Sequence, residues 1–407
     1  MTTVVDVVRS PSGYGAATPS QAQILERVHT IKPLLEENAA DGEAAGRATE
    51  ESITALTDAG AFKIAQPRRY GGYETSVRTM LEVSSAVAEA DGGTACVVAS
   101  CNACAWLTGL FPEQAQDDVW ASTPTAKVSG VLAATAEAVQ VDGGVRVTGR
   151  WHYNTGSWHA EWAVLGIPIR DIDGEIVDQG LALIPRYDLQ FDETWFAAGM
   201  RSAGSNCLTA DDVFVPRHRI LSLPLAIHGV YGTEHTDAPL YRSALVPVQA
   251  LALVGPQLGL GRKALQLVKE QACAKPISYT YYTAQSDSVG FQLQLAQAAM
   301  MIDTAHLHAY RAADDIDSAA RRGEYPDALA RARVRADAAW VLDNVTKAVN
   351  ILISAYGVGS FAETNPLQRI WRDSAVAARN AVTLPMPNYE IYGKALLGRD
   401  DQITPFI

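Results

Sequence analysis

Three of the five cysteines stand close together, at Cys96, Cys101 and Cys104, in the stretch CVVASCNACAW. Thiolates at a C-x4-C-x2-C spacing can hold an iron–sulfur cluster, which also needs a fourth cysteine a few tens of residues further on. The next one, Cys207, is more than a hundred residues away. The stretch is apolar and Ala-rich, which predicts a buried helix on which Cys96 and Cys101 do not share a face. We therefore expect core cysteines and no metal site, with a chemical role for Cys104 left open.

The segment GRWHYNTGSW, residues 149–158, combines large aromatic side chains with small hydroxyl and amide groups. The aromatic residues are Trp151, Tyr153 and Trp158, and the polar ones are Asn154, Thr155 and Ser157. Flat aromatic walls with a few polar groups suit a planar heterocycle such as a flavin. An aromatic cluster on one face of a sheet has the same composition, so the segment alone leaves both interpretations open.

Common catalytic motifs are missing from the rest of the chain. The eight histidines are scattered and form no zinc pattern such as H-E-x-x-H. GLGRK at 259–263 lies inside a helical pattern and not after a strand, so it does not predict a dinucleotide site. Neither a phosphate loop nor a G-x-S-x-G elbow occurs. Any chemistry would therefore have to come from a bound cofactor.

Composition narrows the class of protein. The chain has 407 residues and a formal net charge of −12, and this acidic balance argues against nucleic-acid or anionic-membrane partners. No apolar run approaches the roughly 20 residues of a membrane helix, and no secretory leader is evident. An odd, clustered set of cysteines is not a disulfide framework. We expect a cytoplasmic protein.

Periodicity divides the chain into a tail and three parts. Residues 1–17 have no sustained period and are expected to be a flexible tail. Residues 18–119 repeat apolar side chains at helical spacing, and residues 120–228 read as β-strands separated by Asp-Gly turns. Residues 229–407 return to long helical patterns, the last predicted at 366–381. The predicted fold class is α+β: an N-terminal helical domain, a central β domain and a C-terminal helical bundle.

Four stretches make residues 20–400 resemble the acyl-CoA dehydrogenase fold, and within it the oxygenase components of two-component flavin-dependent monooxygenases. They are ITALTDAGAFKIAQPRRYGGYE, GRWHYNTGSW, AAGMRSAGSNCLTADDVFVPRHR and LQRIWRDSAVAARNA. The third is the most specific. The resemblance implies a central β-barrel or sandwich, a C-terminal four-helix bundle, a homotetramer and a flavin bound between the β domain and the bundles.

The resemblance also implies roles for individual residues. Tyr153 matches an aromatic residue beside the isoalloxazine, and Thr155 matches a hydroxyl that reaches flavin N5. Further cofactor contacts are expected from Trp151, Asn154, Ser129 and the turn of Tyr356, Gly357 and Gly359. The chain shows no nicotinamide-binding segment, so a separate flavin reductase is expected to supply reduced FAD, with FMN as the other possibility.

The chemistry implied is oxygen transfer. Dehydrogenases of this fold often carry a glutamate eight residues after the aspartate matching Asp373, where this chain has Ala381, and without a base α-proton abstraction lacks a driving group. Reduced flavin and O2, through a C4a-hydroperoxyflavin, would instead hydroxylate a small aromatic substrate held by Cys104, Trp106 and Asn380. Cys104 and Asn380 stand where phenol hydroxylases of the branch keep histidines, which favours an electron-rich indole-like or polycyclic ring needing no base. The alternatives are N- or S-oxygenation and acyl-CoA dehydrogenation.

Overall fold

The computed structural model describes residues 18–170 and 174–407, so the predicted tail at 1–17 lies outside the described residues. The N-terminal part is helical, as the apolar periodicity predicts. Ser20 caps the first helix by a reciprocal capping box with Gln23, and Asp91 caps the helix that carries the cysteines. The helices are α1 (Gln21–Ala45), α2 (Glu50–Ala59), α3 (Val77–Ala88), α4 (Gly92–Thr108) and α5 (Glu113–Trp120).

The central part is a sandwich of two four-stranded sheets with its own apolar core. One sheet has the order β1-β4-β5-β8 and the other β2-β3-β7-β6, and all recorded pairings are antiparallel except the parallel pair β1 and β4. The strands are β1 (Val128–Val131), β2 (Ala136–Val141), β3 (Gly144–Asn154), β4 (Trp162–Arg170), β5 (Ile176–Pro185), β6 (Gln190–Asp192), β7 (Asn206–Pro216) and β8 (Ile220–Ser222).

The C-terminal part is a helical bundle in which one central helix, Ala328–Tyr356, packs against five others. Its core is continuous with that of the N-terminal helices, so the two helical parts enclose a common interior. The helices are α6 (Leu223–Ile227), α7 (Leu245–Ala252), α8 (Gly255–Gln271), α9 (Val289–Arg322), α10 (Ala328–Tyr356), α11 (Pro366–Ala377) and α12 (Pro385–Leu396).

The predicted α+β fold class is confirmed, and two helix boundaries differ from expectation. The pattern from Val246 onward predicts one long helix, but α7 ends at Ala252 and α8 begins at Gly255, with Pro256 in its first turn. The predicted last helix at 366–381 ends at Ala377, and a turn leads into α12. Both boundaries were missed because each break is only a few residues long and the composition on either side of it is helical.

Candidate active site

Two hydroxyl groups meet where β3 ends and β7 begins. Asn154 and Asn206 are register partners across these strands, which brings the residues just beyond them together. The Thr155 Oγ1 atom lies 2.9 Å from the Ser205 Oγ atom, and either hydroxyl can donate. The pair therefore offers a hydrogen-bond donor and an acceptor at this end of β3 and β7.

An aromatic surface adjoins the hydroxyl pair. The rings of Tyr153 and Trp195 meet edge to face with centroids 5.4 Å apart, and Tyr153 is 62% exposed. Such a large open ring beside two hydroxyls is the wall that a planar heterocycle requires.

Asn154 is buried, and both its Oδ1 and Nδ2 atoms lack a partner among the described residues. A buried amide without partners is costly, which indicates that water or a bound group completes this region. A flavin edge carries both carbonyl acceptors and N–H donors, so the polar and aromatic residues gathered here fit this cofactor.

Trp151, also predicted to contact the cofactor, faces the other way. Its ring is fully buried in the sandwich core, and its indole N–H donates to the Gly166 carbonyl at 2.8 Å. This placement argues against direct contact between the Trp151 ring and a cofactor. Strand alternation alone would put Trp151 and Tyr153 on the same face, and the register shift between Trp151 and Asn154 reverses this.

The cysteine helix α4 packs directly behind this site. A Cβ atom at Gly156 would come 3.3 Å from the Cys101 Sγ, and one at Gly130 would come 2.9 Å from the Cys104 Sγ. Burial raises the pKa of the Cys104 thiol to about 12 and that of Cys96 to about 12. Cys104 is therefore a neutral thiol. Within the described ranges, no three His, Cys, Asp or Glu side chains are grouped so as to hold a metal ion.

Three other residues predicted to contact the cofactor or the substrate lie in three separate places. Ser129 is buried on β1, where its Oγ is 3.5 Å from the Trp162 carbonyl. Trp106 is enclosed in the main core, its indole N–H bound to the Leu240 carbonyl at 2.9 Å. Asn380 lies on an exposed turn after α11, and its Oδ1 accepts from the Val382 N–H at 3.0 Å. Substrate contacts by Trp106 and Asn380 stay predictions.

The glycine turn predicted to meet cofactor phosphates follows α10. Lys275 donates to the Tyr356 carbonyl at 2.7 Å and lies over the Tyr356 ring. Gly357 has a φ of 87°, a backbone conformation that favours glycine. This turn belongs to the C-terminal bundle, whereas Tyr153 and Thr155 belong to the β domain. The resemblance assigns the turn to the cofactor of a neighbouring subunit, and that role stays a prediction.

Sequence reasoning missed Ser205 and Trp195, the partners of Thr155 and Tyr153. Ser205 lies within the third motif, AAGMRSAGSNCLTADDVFVPRHR, so the signal was present but not read. Sequence reasoning also missed a role for Asp91, and used Asp373 only as a reference point. Both carboxyl groups are buried beside the segment that bears Ser205.

Comparison with known proteins identifies the family of the chain. Residues 251–384 match the family described as acyl-CoA dehydrogenase, C-terminal domain. The oxygenase subunit HsaA, a flavin-dependent monooxygenase of Rhodococcus jostii (strain RHA1), is 31% identical over 92% of this chain and 98% of its own. The structure of XiaF from Streptomyces sp. with FADH2 and glycerol superposes with a TM-score of 0.90 at 36% identity, covering 95% of this chain and 97% of that one. Indole-3-acetate monooxygenase of Pseudomonas putida is 28% identical over 64% of this chain and 65% of its own.

The chain belongs to the family of oxygenase subunits of flavin-dependent monooxygenases, which have the acyl-CoA dehydrogenase fold. It is thus a reduced-flavin-dependent monooxygenase, as the resemblance implied. Reduced flavin, when bound, supplies the activation of dioxygen. None of the described helices is both long and apolar enough to cross a membrane.

Proposed function

We propose that this enzyme hydroxylates an electron-rich aromatic ring of the indole-like or polycyclic kind, using reduced FAD delivered by a separate flavin reductase. The observation that carries the proposal is the neutral thiol of Cys104, buried on the helix behind the flavin site. Burial raises its pKa to about 12, so it cannot take a proton from a phenol near neutral pH. An indole-like ring is nucleophilic without deprotonation and needs no such base.

The chain's own residues divide the remaining work. Tyr153 and Trp195 form the aromatic wall for the isoalloxazine, and the Thr155 and Ser205 hydroxyls hydrogen-bond its N5 edge. The apolar helix α4 closes the back of the pocket and would exclude water from the oxygen-transfer step. Asn154, without partners in the described residues, is the candidate for a further polar contact to the ring.

FAD is favoured over FMN for two reasons. The XiaF structure, at 36% identity, was determined with FADH2. The turn after α10 combines Gly357 and Gly359 with the Lys275 ammonium group, whose Nζ would lie 3.7 Å from a Cβ at Gly359. A glycine turn beside a lysine suits the phosphates of a dinucleotide, which FMN would reach less completely.

The assembly proposed is a homotetramer in the cytoplasm. Leu293, Met300 and Leu307 are 66%, 64% and 71% exposed, and their seven-residue spacing puts them along one side of α9. An apolar stripe of this kind indicates a subunit contact. All five cysteines are free, as is typical of a reducing compartment.

The test supplies the purified enzyme and a flavin reductase with indole or phenol and quantifies hydroxylated product and hydrogen peroxide. The wild type should convert indole with little peroxide and should convert phenol poorly. Cys104→His restores an imidazole and should raise phenol turnover relative to indole. Cys104→Ala is the control for altered packing, and it should change both substrates alike. Efficient phenol turnover by the wild type without any indole product would contradict the proposal.

Oxygenation of a nitrogen or sulfur atom is the second candidate, because the same neutral Cys104 serves a nucleophilic heteroatom equally well. Sulfoxide or N-oxide formation from thioethers or amines, with inert indole, would favour it. Acyl-CoA dehydrogenation has less support, since Ala381 occupies the base position on an exposed turn. Bleaching of enzyme-bound oxidised flavin by an acyl thioester without oxygen would revive it.

A further inference from the structure

One segment supports both walls of the flavin pocket. Residues 193–205 connect β6 to β7 and carry Trp195, whose ring packs on Tyr153, and Ser205, whose Oγ is 2.9 Å from the Thr155 Oγ1. Neither contact can persist if this segment moves away from β3. The geometry of the pocket therefore depends on what holds residues 193–205 in place.

Two buried carboxylates from two other elements hold the segment. Asp91, the N-cap of α4, accepts through Oδ2 from the Ser202 hydroxyl at 2.7 Å and from the Thr94 N–H at 2.8 Å. Asp373 of α11 accepts through Oδ1 from the Met200 N–H at 2.5 Å. The two aspartates are only 3% and 4% exposed, so water does not compete for these hydrogen bonds, and losing either acceptor would leave a buried donor without a partner.

The backbone around these hydrogen bonds is closely packed against α11 and α4. A Cβ atom at Gly199 would come 2.3 Å from the Arg372 carbonyl oxygen, and one at Gly93 would collide with the Ser202 hydroxyl. Arg372 adds a third attachment, since its guanidinium donates to the Ala198 carbonyl at 2.6 Å. Met200 has a φ of 53°, a conformation that needs support from its surroundings in a residue other than glycine.

We propose that Asp91 and Asp373 are positioning residues of the flavin pocket, which fasten residues 193–205 so that Trp195 and Ser205 keep Tyr153 and Thr155 in register for the cofactor. This inference rests on the proposed function only for the identity of the group in the pocket. The two aspartates join three parts of the fold at one point: the start of α4, the middle of α11 and the approach to β7.

The test compares Asp373→Ala, Ser202→Ala and wild type in the full-length enzyme. Hydrogen–deuterium exchange of residues 193–205 should rise at least fivefold in both variants while α9 keeps its protection. Anaerobic titration with reduced FAD should show binding weakened by about tenfold, the usual scale for losing a hydrogen bond to a charged group. Asp373→Asn, which keeps an acceptor oxygen for the Met200 N–H, should recover most of both effects. Asp211→Ala, which removes an exposed carboxylate on β7, is the matched control and should change neither.

Unchanged exchange in residues 193–205 for both Asp373→Ala and Ser202→Ala would overturn the proposal. Faster exchange with unaltered FAD affinity would overturn the positioning role, because the segment would then be fastened for stability alone. If Asp373→Ala also loses the protection of α9, the decision rests on Ser202→Ala, which deletes a single hydroxyl. Failure of the wild type to bind FAD would instead count against the proposed function, while the exchange data would still report on the fastening.

Discussion

Asp373 should make the stability of this enzyme fall as the pH rises through neutrality, and Asp373→Asn should remove that dependence. Burial, followed by the nearby charge of Asp91, raises the pKa of Asp373 to about 7. Glu43 also raises the pKa, whereas the Met200 N–H and the positive charge of Arg369 lower it. Burial dominates, because a carboxylate that is removed from water loses its hydration.

The sign and size of this pH dependence of stability follow from proton linkage. An aspartate in an unfolded chain titrates near 3.9, so between this value and about 7 the folded state of Asp373 binds more protons than the unfolded state. Stability contributed by the protonated group is fully present below the lower value and is lost as the pH rises towards the upper one. Integration from about pH 5 to about pH 8 gives a loss of roughly 2.5 kcal/mol. This is an upper bound, because surroundings relax around a buried charge.

The assay is thermal unfolding of wild type and Asp373→Asn across this pH range at one protein concentration. The asparagine oxygen can still accept from the Met200 N–H, and the amide does not titrate. At an unfolding entropy of about 2.1 cal/mol/K per residue, the difference in Tm should shift by up to roughly 3 °C in favour of the variant. Asp212→Asn, at an exposed position, should run parallel to wild type. A constant difference between wild type and Asp373→Asn at every pH would refute the reasoning.

Three further predictions concern the pocket, the sandwich core and the assembly. Thr155→Val leaves the Ser205 hydroxyl without its partner and should lower the ratio of hydroxylated product to hydrogen peroxide about fivefold or more, whereas Thr155→Ser should stay near wild type. Trp151→Phe leaves a buried carbonyl unpaired, so urea unfolding should show a loss of about 1–3 kcal/mol with reduced-FAD affinity unchanged. Leu307→Glu puts a charge in the apolar stripe of α9, and sedimentation velocity should show species smaller than the wild-type assembly, while Glu270→Gln on α8 should not.

The order of helical, β and helical parts could be predicted because the local spacing of apolar residues indicates it. The helices α9 and α10 run 34 and 29 residues, and their apolar spacing continues almost unbroken. At Pro256 and around Asn380 the helical spacing of apolar residues is interrupted over only a few residues. Composition alone therefore could not distinguish the start of α8 and the end of α11 from the interior of a longer helix.

The site was predictable only in part, since half of it depends on contacts between distant residues. The resemblance carried by GRWHYNTGSW allowed Tyr153 and Thr155 to be proposed as cofactor contacts, but their partners Trp195 and Ser205 are about 40 to 50 residues further along. The direction of the Trp151 ring depends on the register shift in β3, and register is set by pairing with β7. No pattern within β3 itself carries that information.

The packing of α4 accounts for the cysteines in the stretch CVVASCNACAW. Cys101 Sγ packs against the turn at Gly156 and Cys104 Sγ against Gly130 on β1, where an added Cβ atom would come 3.3 Å and 2.9 Å from the respective sulfur. A thiol held neutral by burial at each of these two positions places neither a charge nor a proton acceptor beside the proposed flavin pocket. Asp91 at the start of the same helix holds the opposite wall through Ser202. In the proposed flavin pocket a single helix therefore contacts both walls and adds no general base, which suits oxygen transfer to a ring that needs no deprotonation.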